Sequence, residues 1–256
     1  MWFTVLGLAA VADIPLIELY HRLDPRLPHG QYRIPSLTTT TNGSLLAFID
    51  GRMHQTDITP TIVYVRRSTD NGKTWSKATA VLNDPKNRTL FSGAAVVDPK
   101  SGAIHYVHQE MLFRSASDGC SGCHLHITSS YDDGLSWSAP KPIVTHGADN
   151  RTWGGALASG IALTHGQHAG RLLIALRHDC GCGTLRASFA IFSDDGGATW
   201  TGGDEMVLMP KYGGGWTECE VAELRNGSVL MTSRNFYGVR SSVAGVPLQS
   251  PNHALT

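Results

Sequence analysis

The sequence predicts an all-β protein built from repeated four-stranded sheets, and three observations lead to this prediction. Glycine accounts for 28 of the 256 residues, about 11% against a usual ~7%, and this excess favours a chain with many tight turns. No segment of twelve residues has convincing helical periodicity. The pattern Ser-x-Asp-x-Gly-x-x-Trp occurs three times. Recurrence at a fixed period is typical of folds that repeat one supersecondary unit.

The repeated pattern occupies residues 68–75, 130–137 and 193–200, and the tryptophans that end the three copies are 62 and 63 residues apart. Serine and aspartate side chains bond nearby backbone amides in turns, and glycine adopts backbone conformations that other residues avoid. The tryptophan is then expected to pack against the turn and to fix the hairpin. Each copy is therefore predicted to be a tight turn between two strands.

Strand-like runs surround each copy of the pattern. One run directly precedes each copy, at residues 61–67, 124–129 and 187–192. Hairpins are predicted elsewhere in the period, from the paired runs 94–97 and 103–108, 161–164 and 171–176, and 221–224 and 229–232. The resulting order of strand, turn, strand, strand, fixed turn and strand is a four-stranded sheet. Its repetition predicts the blades of a β-propeller.

Composition excludes several classes of protein. Lysine and arginine total 21 and aspartate and glutamate total 21, so the chain lacks the positive field of a protein that binds nucleic acid nonspecifically. Hydrophobic residues are 41% and charged residues 16%, which excludes a disordered chain. No run approaches the ~20 apolar residues of a membrane span. We therefore expect neither a nucleic-acid partner nor a membrane span.

Two features bear on the compartment. Residues 1–12 are apolar and end in a small-x-small site, which fits either a secretory signal or a short buried first strand. Asn-x-Ser/Thr sequons begin at Asn42, Asn87, Asn150 and Asn226, and such sites are glycosylated in secretory proteins. Those at Asn42 and Asn226 are equally well explained as hairpin turns. The sequence favours a secretory-pathway location, lysosomal or extracellular, with a cytoplasmic location as the alternative.

The eight-position unit resembles the Asp-box of sialidases and other bacterial neuraminidase-repeat proteins. The resemblance implies a six-bladed β-propeller, of which residues 30–256 would form about three and a half blades. Asp-boxes of that family lie on the periphery of the propeller, away from the catalytic face. We therefore expect Asp70, Asp132 and Asp195 to be structural.

Cleaving a sialoside sets a particular chemical problem, because the anomeric carbon of sialic acid bears a carboxylate. Arginines suit it, since their planar fork binds a carboxylate through two hydrogen bonds. A tyrosine activated by a glutamate avoids the repulsion that a carboxylate nucleophile would meet, and sialidases are a noted exception among glycosidases in this respect. A separate acid must protonate the leaving oxygen. The required set is several arginines, an acid, a glutamate and a tyrosine.

The first half of the chain contains a motif that resembles the opening motif of animal-type sialidases, the lysosomal kind above all. It consists of Tyr-Arg-Ile-Pro at residues 32–35, Leu-Leu-Ala-Phe-Ile-Asp-Gly-Arg at 45–52, and Asp57. The resemblance implies that Arg33 is the first member of the arginine triad that binds the substrate carboxylate. It further implies that Arg52 lies near the O4 side of the sugar and that Asp57 is the general acid/base.

A later segment resembles a second motif of the same family. It consists of residues 218–223, Glu-Cys-Glu-Val-Ala-Glu, followed by Ser-Arg-Asn at 233–235. The resemblance implies that Glu218 activates the nucleophilic tyrosine and that Arg234 is the second triad arginine. Over about residues 30 to 240 it implies a retaining exo-α-sialidase, needing no cofactor. Its substrates would be sialylated glycoproteins, oligosaccharides or gangliosides.

Two members of the family's catalytic set have no match here. The family takes its third triad arginine and its nucleophilic tyrosine from late blades, whereas after Arg234 this sequence has only Tyr237 and Arg240. Both come too early and lie in no matching motif. We therefore expect a C-terminally truncated sialidase, with residues 235–256 poorly packed. The alternative is a non-catalytic Asp-box propeller that binds glycans or proteins.

The five cysteines leave several interpretations open. Cys120-Ser-Gly-Cys123-His124 fits the c-type haem pattern, but a haem also needs a distal ligand and a helical pocket. A zinc site would combine these cysteines with Cys180 and Cys182. Disulfides or reduced thiols are favoured over both. Cys219 is expected to be a buried strand residue.

Overall fold

The computed structural model describes residues 16–21, 31–56, 59–86, 89–112, 123–143, 145–146, 153–154, 159–179, 186–203, 206–207, 216–235 and 246–248. These residues form eighteen strands and one turn of 3-10 helix at Gly166–His168. The strands belong to four sheets that follow one another along the chain. The all-β prediction is confirmed.

The first two sheets have the predicted four strands in chain order, each antiparallel to the next. The first consists of β1 (Gln31–Thr39), β2 (Leu45–Arg52), β3 (Thr61–Ser68) and β4 (Thr79–Leu82). The second consists of β5 (Thr89–Val97), β6 (Ile104–Leu112), β7 (Cys123–Ser130) and β8 (Lys141–Pro142). In both sheets the copy of the repeated pattern separates the third strand from the fourth.

The third and fourth sheets differ from the predicted blade. The third contains seven strands: β9 (Thr145–His146), β10 (Trp153–Gly154), β11 (Ile161–Ala162), β12 (Leu172–Asp179), β13 (Arg186–Ser193), β14 (Trp200–Gly202) and β15 (Met206–Val207). Both β10 and β11 pair with β12, so the first strand is interrupted. The fourth sheet contains β16 (Trp216–Glu223), β17 (Val229–Asn235) and β18 (Val246–Leu248). Since β18 pairs with β17, this sheet has a third strand where the sequence predicted half a blade.

The Asp-box turns have the predicted hydrogen bonds. Asp70 Oδ1 accepts bonds from Ser68 Oγ at 2.8 Å and from the Thr74 amide at 2.9 Å, and Oδ2 accepts one from Thr74 Oγ1 at 2.6 Å. Asp132 and Asp195 make the same three bonds. The pattern glycine is left-handed each time, with φ of 83°, 84° and 90°, a conformation that side chains disfavour. The structural role predicted for the three aspartates is confirmed.

The three tryptophans do not all behave alike. Trp75 Nε1 donates to the Gly72 carbonyl at 2.9 Å, and Trp200 makes the corresponding bond at 3.2 Å. Trp137 instead packs edge-on against Phe48 of the first sheet, at 5.7 Å between ring centroids. Its buried Nε1 has no hydrogen-bond partner among the described residues. Trp75 and Trp200 thus bond to their own turns, whereas the contact found for Trp137 is with the neighbouring sheet.

Successive sheets pack face to face through apolar side chains. One core lies between the first and second sheets and includes Leu46, Phe48, Phe91 and Tyr106. Similar cores join the second sheet to the third and the third to the fourth. The first strands also contact in succession, β1 with β5, β5 with β11, and β11 with β16. The first strands of the four sheets are therefore the inner strands. The residues at which these strands begin lie at one end of the stacked sheets, which we call the inner end.

Candidate active site

The inner end of the first sheet holds a cluster of charged residues. Arg33, near the start of β1, pairs with Asp50 near the end of β2, and Gln31 pairs with Arg52. The register then shifts between Arg33 and Ser36, where Ile34 has a φ of 57°. Such a φ is unusual for a β-branched residue. The bulge interrupts the pairing directly after Arg33, and the pairing resumes at Ser36. The Arg33 side chain is exposed.

Arg52 is buried, with 7% of its surface exposed. Its Nη2 lies 3.9 Å from Asp50 Oδ2, and its Nη1 donates to the Thr56 carbonyl at 3.4 Å. A buried guanidinium needs compensating partners of this kind, because desolvating a charge is costly. The structure therefore brings two predicted site residues, Arg33 and Arg52, to one inner end and sets them on either side of Asp50.

The sequence interpretation assigned no role to Asp50. Its surface is 2% exposed, and burial raises the pKa of its carboxyl to about 8, although the Arg52 and Arg33 charges lower it. The pKa of Tyr106, on β6, is raised well above its ordinary value by its own burial and then by the Asp50 charge. The available indication was that Asp50 directly follows the apolar run at residues 45–49, since buried carboxylates are rare unless paired.

The fourth sheet repeats the bulge of the first. Glu218 on β16 has a φ of 50° and lies at the register shift between Thr217 and Cys219. Thr217 pairs with Arg234 on β17, just as Arg33 pairs with Asp50. The Glu218 side chain is exposed. Glu218 and Arg234 therefore lie at the end of their sheet that corresponds to the Arg33 end of the first sheet.

Parts of the predicted site lie outside the described residues. Asp57 is one of them, and for Arg234 the structure describes the backbone position but not the side chain. Cys120, Cys180 and Cys182 are also outside, as are residues 1–12 and the sequons at Asn87 and Asn150. The roles of Arg33, Arg52, Asp57, Glu218 and Arg234 in catalysis stay predictions.

Cys219, next to Glu218, is a buried strand residue, as predicted. Its Sγ donates to the Leu176 carbonyl of β12 at 2.9 Å, and burial raises the pKa of the thiol to about 11. A protonated, buried thiol is a poor nucleophile. Cys219 therefore connects the third and fourth sheets.

A second cluster that the sequence interpretation missed lies on the second sheet. The Glu110 carboxylate is 3.8 Å from His108 Nδ1 and 3.6 Å from His126 Nδ1. Burial, with the His126 charge as a second cause, lowers the pKa of His108 to about 3, so this imidazole is neutral. Among the described residues, no three histidine, cysteine, aspartate or glutamate side chains are placed to hold a metal ion.

Comparison with known proteins identifies the family. Residues 43–249 match the model of the BNR repeat-like domain. The chain is 33% identical to a sialidase of Micromonospora viridifaciens over 219 residues, which cover 80% of this chain and 33% of that protein. The chain belongs to the sialidase family with Asp-box repeats. Sialidase-2 of Cricetulus griseus is 29% identical over 254 residues, which cover 88% of this chain and 62% of that protein.

Solved sialidase structures have the same fold. The Hadza microbial sialidase Hz136 superposes with a TM-score of 0.69 at 26% identity, covering 82% of this chain and 43% of that one. A leech intramolecular trans-sialidase superposes with a TM-score of 0.68 at 16% identity, covering 93% and 54%. The fold is thus the β-propeller of the sialidase type. The chain spans between about a third and three fifths of the length of these relatives.

Among the described residues, no helix has the length and apolar character required to cross a membrane.

Proposed function

We propose that this chain contributes to a retaining exo-α-sialidase site that releases terminal sialic acid from glycoproteins, oligosaccharides or gangliosides. The observation that supports this best is the pair of arginines at the inner end of the first sheet. Arg33 is exposed and Arg52 is buried, and both lie beside Asp50. Family membership supports the same activity, since the relatives are named sialidases.

In this proposal the arginines recognise the anionic sugar. Arg33 and Arg234 bind the carboxylate at the anomeric carbon through their planar forks, and Arg52 contacts the O4 side. Guanidinium groups suit the task because they keep their charge at any working pH and match the carboxylate geometry. Burial of Arg52 strengthens its interactions, because water does not screen a buried charge as it screens an exposed one.

The remaining residues would move protons. Asp57 donates a proton to the glycosidic oxygen as it leaves, and Glu218 accepts the phenolic proton of a tyrosine nucleophile that attacks the anomeric carbon. Water then releases the sugar from the tyrosine, with Asp57 acting as the base. The nucleophilic tyrosine is assigned to no residue of this sequence. The chemistry requires no cofactor.

A second candidate is a non-catalytic propeller, in which the same arginines bind sialylated glycans without cleaving them. Two assays on the 256-residue chain distinguish the candidates. Calorimetry with the carboxylate analogue 2-deoxy-2,3-didehydro-N-acetylneuraminic acid measures binding, and a fluorogenic sialoside measures hydrolysis. We expect the analogue to bind and the sialoside to be hydrolysed poorly or not at all. Full turnover would contradict the expectation that no tyrosine of this sequence acts as the nucleophile. Absence of binding would contradict both candidates.

We also propose that the protein enters the secretory pathway. Asn42 and Asn226 are exposed and lie in hairpin turns, so both amides are accessible for glycosylation. Expression in a secreting eukaryotic cell should give a product whose electrophoretic mobility increases after glycosidase treatment. The variant carrying Asn42→Gln and Asn226→Gln should show a smaller increase. No increase in the wild type would favour a cytoplasmic location.

A further inference from the structure

Asp50 is a buried carboxylate placed among cations that the proposed function assigns to substrate binding. It pairs across the β1–β2 ladder with Arg33, and its Oδ2 lies 3.9 Å from Arg52 Nη2. In the described part of the chain, no hydrogen-bond donor reaches Oδ2. The carboxyl is therefore near both guanidiniums, yet one of its oxygens lacks the bonds that normally stabilise a buried carboxylate.

The strands packed around Asp50 bring few other titratable groups. Arg33 comes from β1 and Arg52 from β2 itself, and Val63 on β3 lies opposite Asp50 in the ladder. From β6 the Asp50 charge acts on Tyr106, which burial keeps protonated. Among these described groups, Asp50 is the one whose pKa lies near neutrality, at about 8.

We propose that Asp50 regulates the affinity of the Arg33 and Arg52 pocket for anionic sugars, by competing for the two guanidiniums when it is ionised and by releasing them when it is protonated. The inference rests on the proposed function, since it concerns the same pocket. It adds a group that sets the charge of that pocket. An ionised Asp50 cancels part of the field that attracts a substrate carboxylate, and a protonated Asp50 leaves that field intact.

The direction of the pH effect follows from burial. Burial raises the pKa of Asp50 to about 8, so the carboxyl is mainly protonated in neutral and acidic solution. A sialic acid carboxylate stays ionised above about pH 5, and the arginines stay charged. Affinity should therefore be high below the pKa of Asp50 and should fall as the pH rises through it.

The test is calorimetry of the whole chain with the didehydro sialic acid analogue, from about pH 6 to about pH 9, where arginines do not titrate. The wild type should bind the analogue about tenfold more weakly at about pH 9 than at about pH 6, the change that corresponds to a shift of one pKa unit. Asp50→Asn should show little change over the range, because its amide cannot ionise. The matched control is Asp98→Asn, since Asp98 is also buried but lies in the β5–β6 turn; it should keep the wild-type slope.

Each result decides the proposal. A wild-type affinity independent of pH, or an equal slope in Asp50→Asn, would overturn this inference and leave the proposed function standing. Absence of binding at every pH would overturn both. If Asp50→Asn does not fold, ¹³C NMR of wild-type protein labelled at aspartate Cγ provides the second measurement. A buried carboxyl resonance that titrates near pH 8 supports the proposal, and titration of every aspartate below about pH 5 overturns it.

Discussion

Asp133 of the second Asp-box accepts a 2.6 Å hydrogen bond from Ser44 Oγ of the first sheet. The Arg67 guanidinium, also from the first sheet, pairs with the same carboxylate. The third Asp-box makes the corresponding contact, since His105 Nε2 of the second sheet donates to the Gly196 carbonyl at 2.8 Å. In both of these Asp-boxes, the residue between the aspartate and the glycine therefore hydrogen-bonds to the preceding sheet.

This arrangement predicts that Asp133→Ala destabilises the protein. The Asp133 side chain is 11% exposed, and its loss would leave Arg67 and Ser44 without their shared partner. We expect a loss of about 2 kcal/mol in the free energy of unfolding, below the range for a fully buried pair, and a melting temperature roughly 4–8 °C lower. The control is Asn71→Ala, because Asn71 has the same place in the first Asp-box and a similar φ but is exposed. Equal effects of the two substitutions would show that the contact between sheets contributes nothing.

The Asp-box aspartates should make stability sensitive to acid. Hydrogen bonds from Ser136 and Ser130 hold the pKa of Asp132 at about 2, below its ordinary 3.8. A lowered pKa stabilises the folded chain above about pH 4, and this stabilisation is lost as the pH falls towards 2. Melting temperatures measured between these pH values should therefore decline less steeply for Asp132→Asn than for the wild type. Parallel curves would show that these bonds do not favour the ionised form.

Asp50 should have the opposite effect on stability. Its pKa is raised when folded, so the folded chain binds more protons than the unfolded chain between about pH 4 and pH 8, and Asp50 lowers stability as the pH rises through this window. Chemical denaturation gives the free energy of unfolding of Asp50→Asn and of the wild type. The difference, variant minus wild type, should be larger at about pH 8 than at about pH 4. A difference that is constant with pH, or that favours the wild type at pH 8, would contradict the raised pKa.

Local patterns predicted the strands, the hairpins and the Asp-box turns, because the residues that determine each of them lie close together in the sequence. The orientation of Trp137 was not predictable in this way, since it depends on Phe48 of another sheet. The division of the first strand of the third sheet into β10 and β11 likewise has no local indication.

The site was also predicted only in part, because contacts between separate strands define it. Arg33 and Arg52 were identified by resemblance, but their shared neighbour Asp50 is defined by pairing across the ladder and by burial. The left-handed conformations of Ile34 and Glu218 were also unpredictable, because neither residue type favours a positive φ. Strained residues of this kind commonly occur at functional sites.

The most direct test of a sialic acid pocket at this end of the propeller is the affinity of Arg33 variants for the didehydro analogue at about pH 6. Arg33→Ala should weaken binding by about 2–5 kcal/mol, or roughly 30- to 4,000-fold, and Arg33→Lys should recover little because an ammonium lacks the planar fork. The control Arg225→Ala, in the exposed turn between β16 and β17, should bind like the wild type. If Arg33→Ala melts early yet binds the analogue within about threefold of the wild type, Arg33 is a structural residue and the proposed site is wrong.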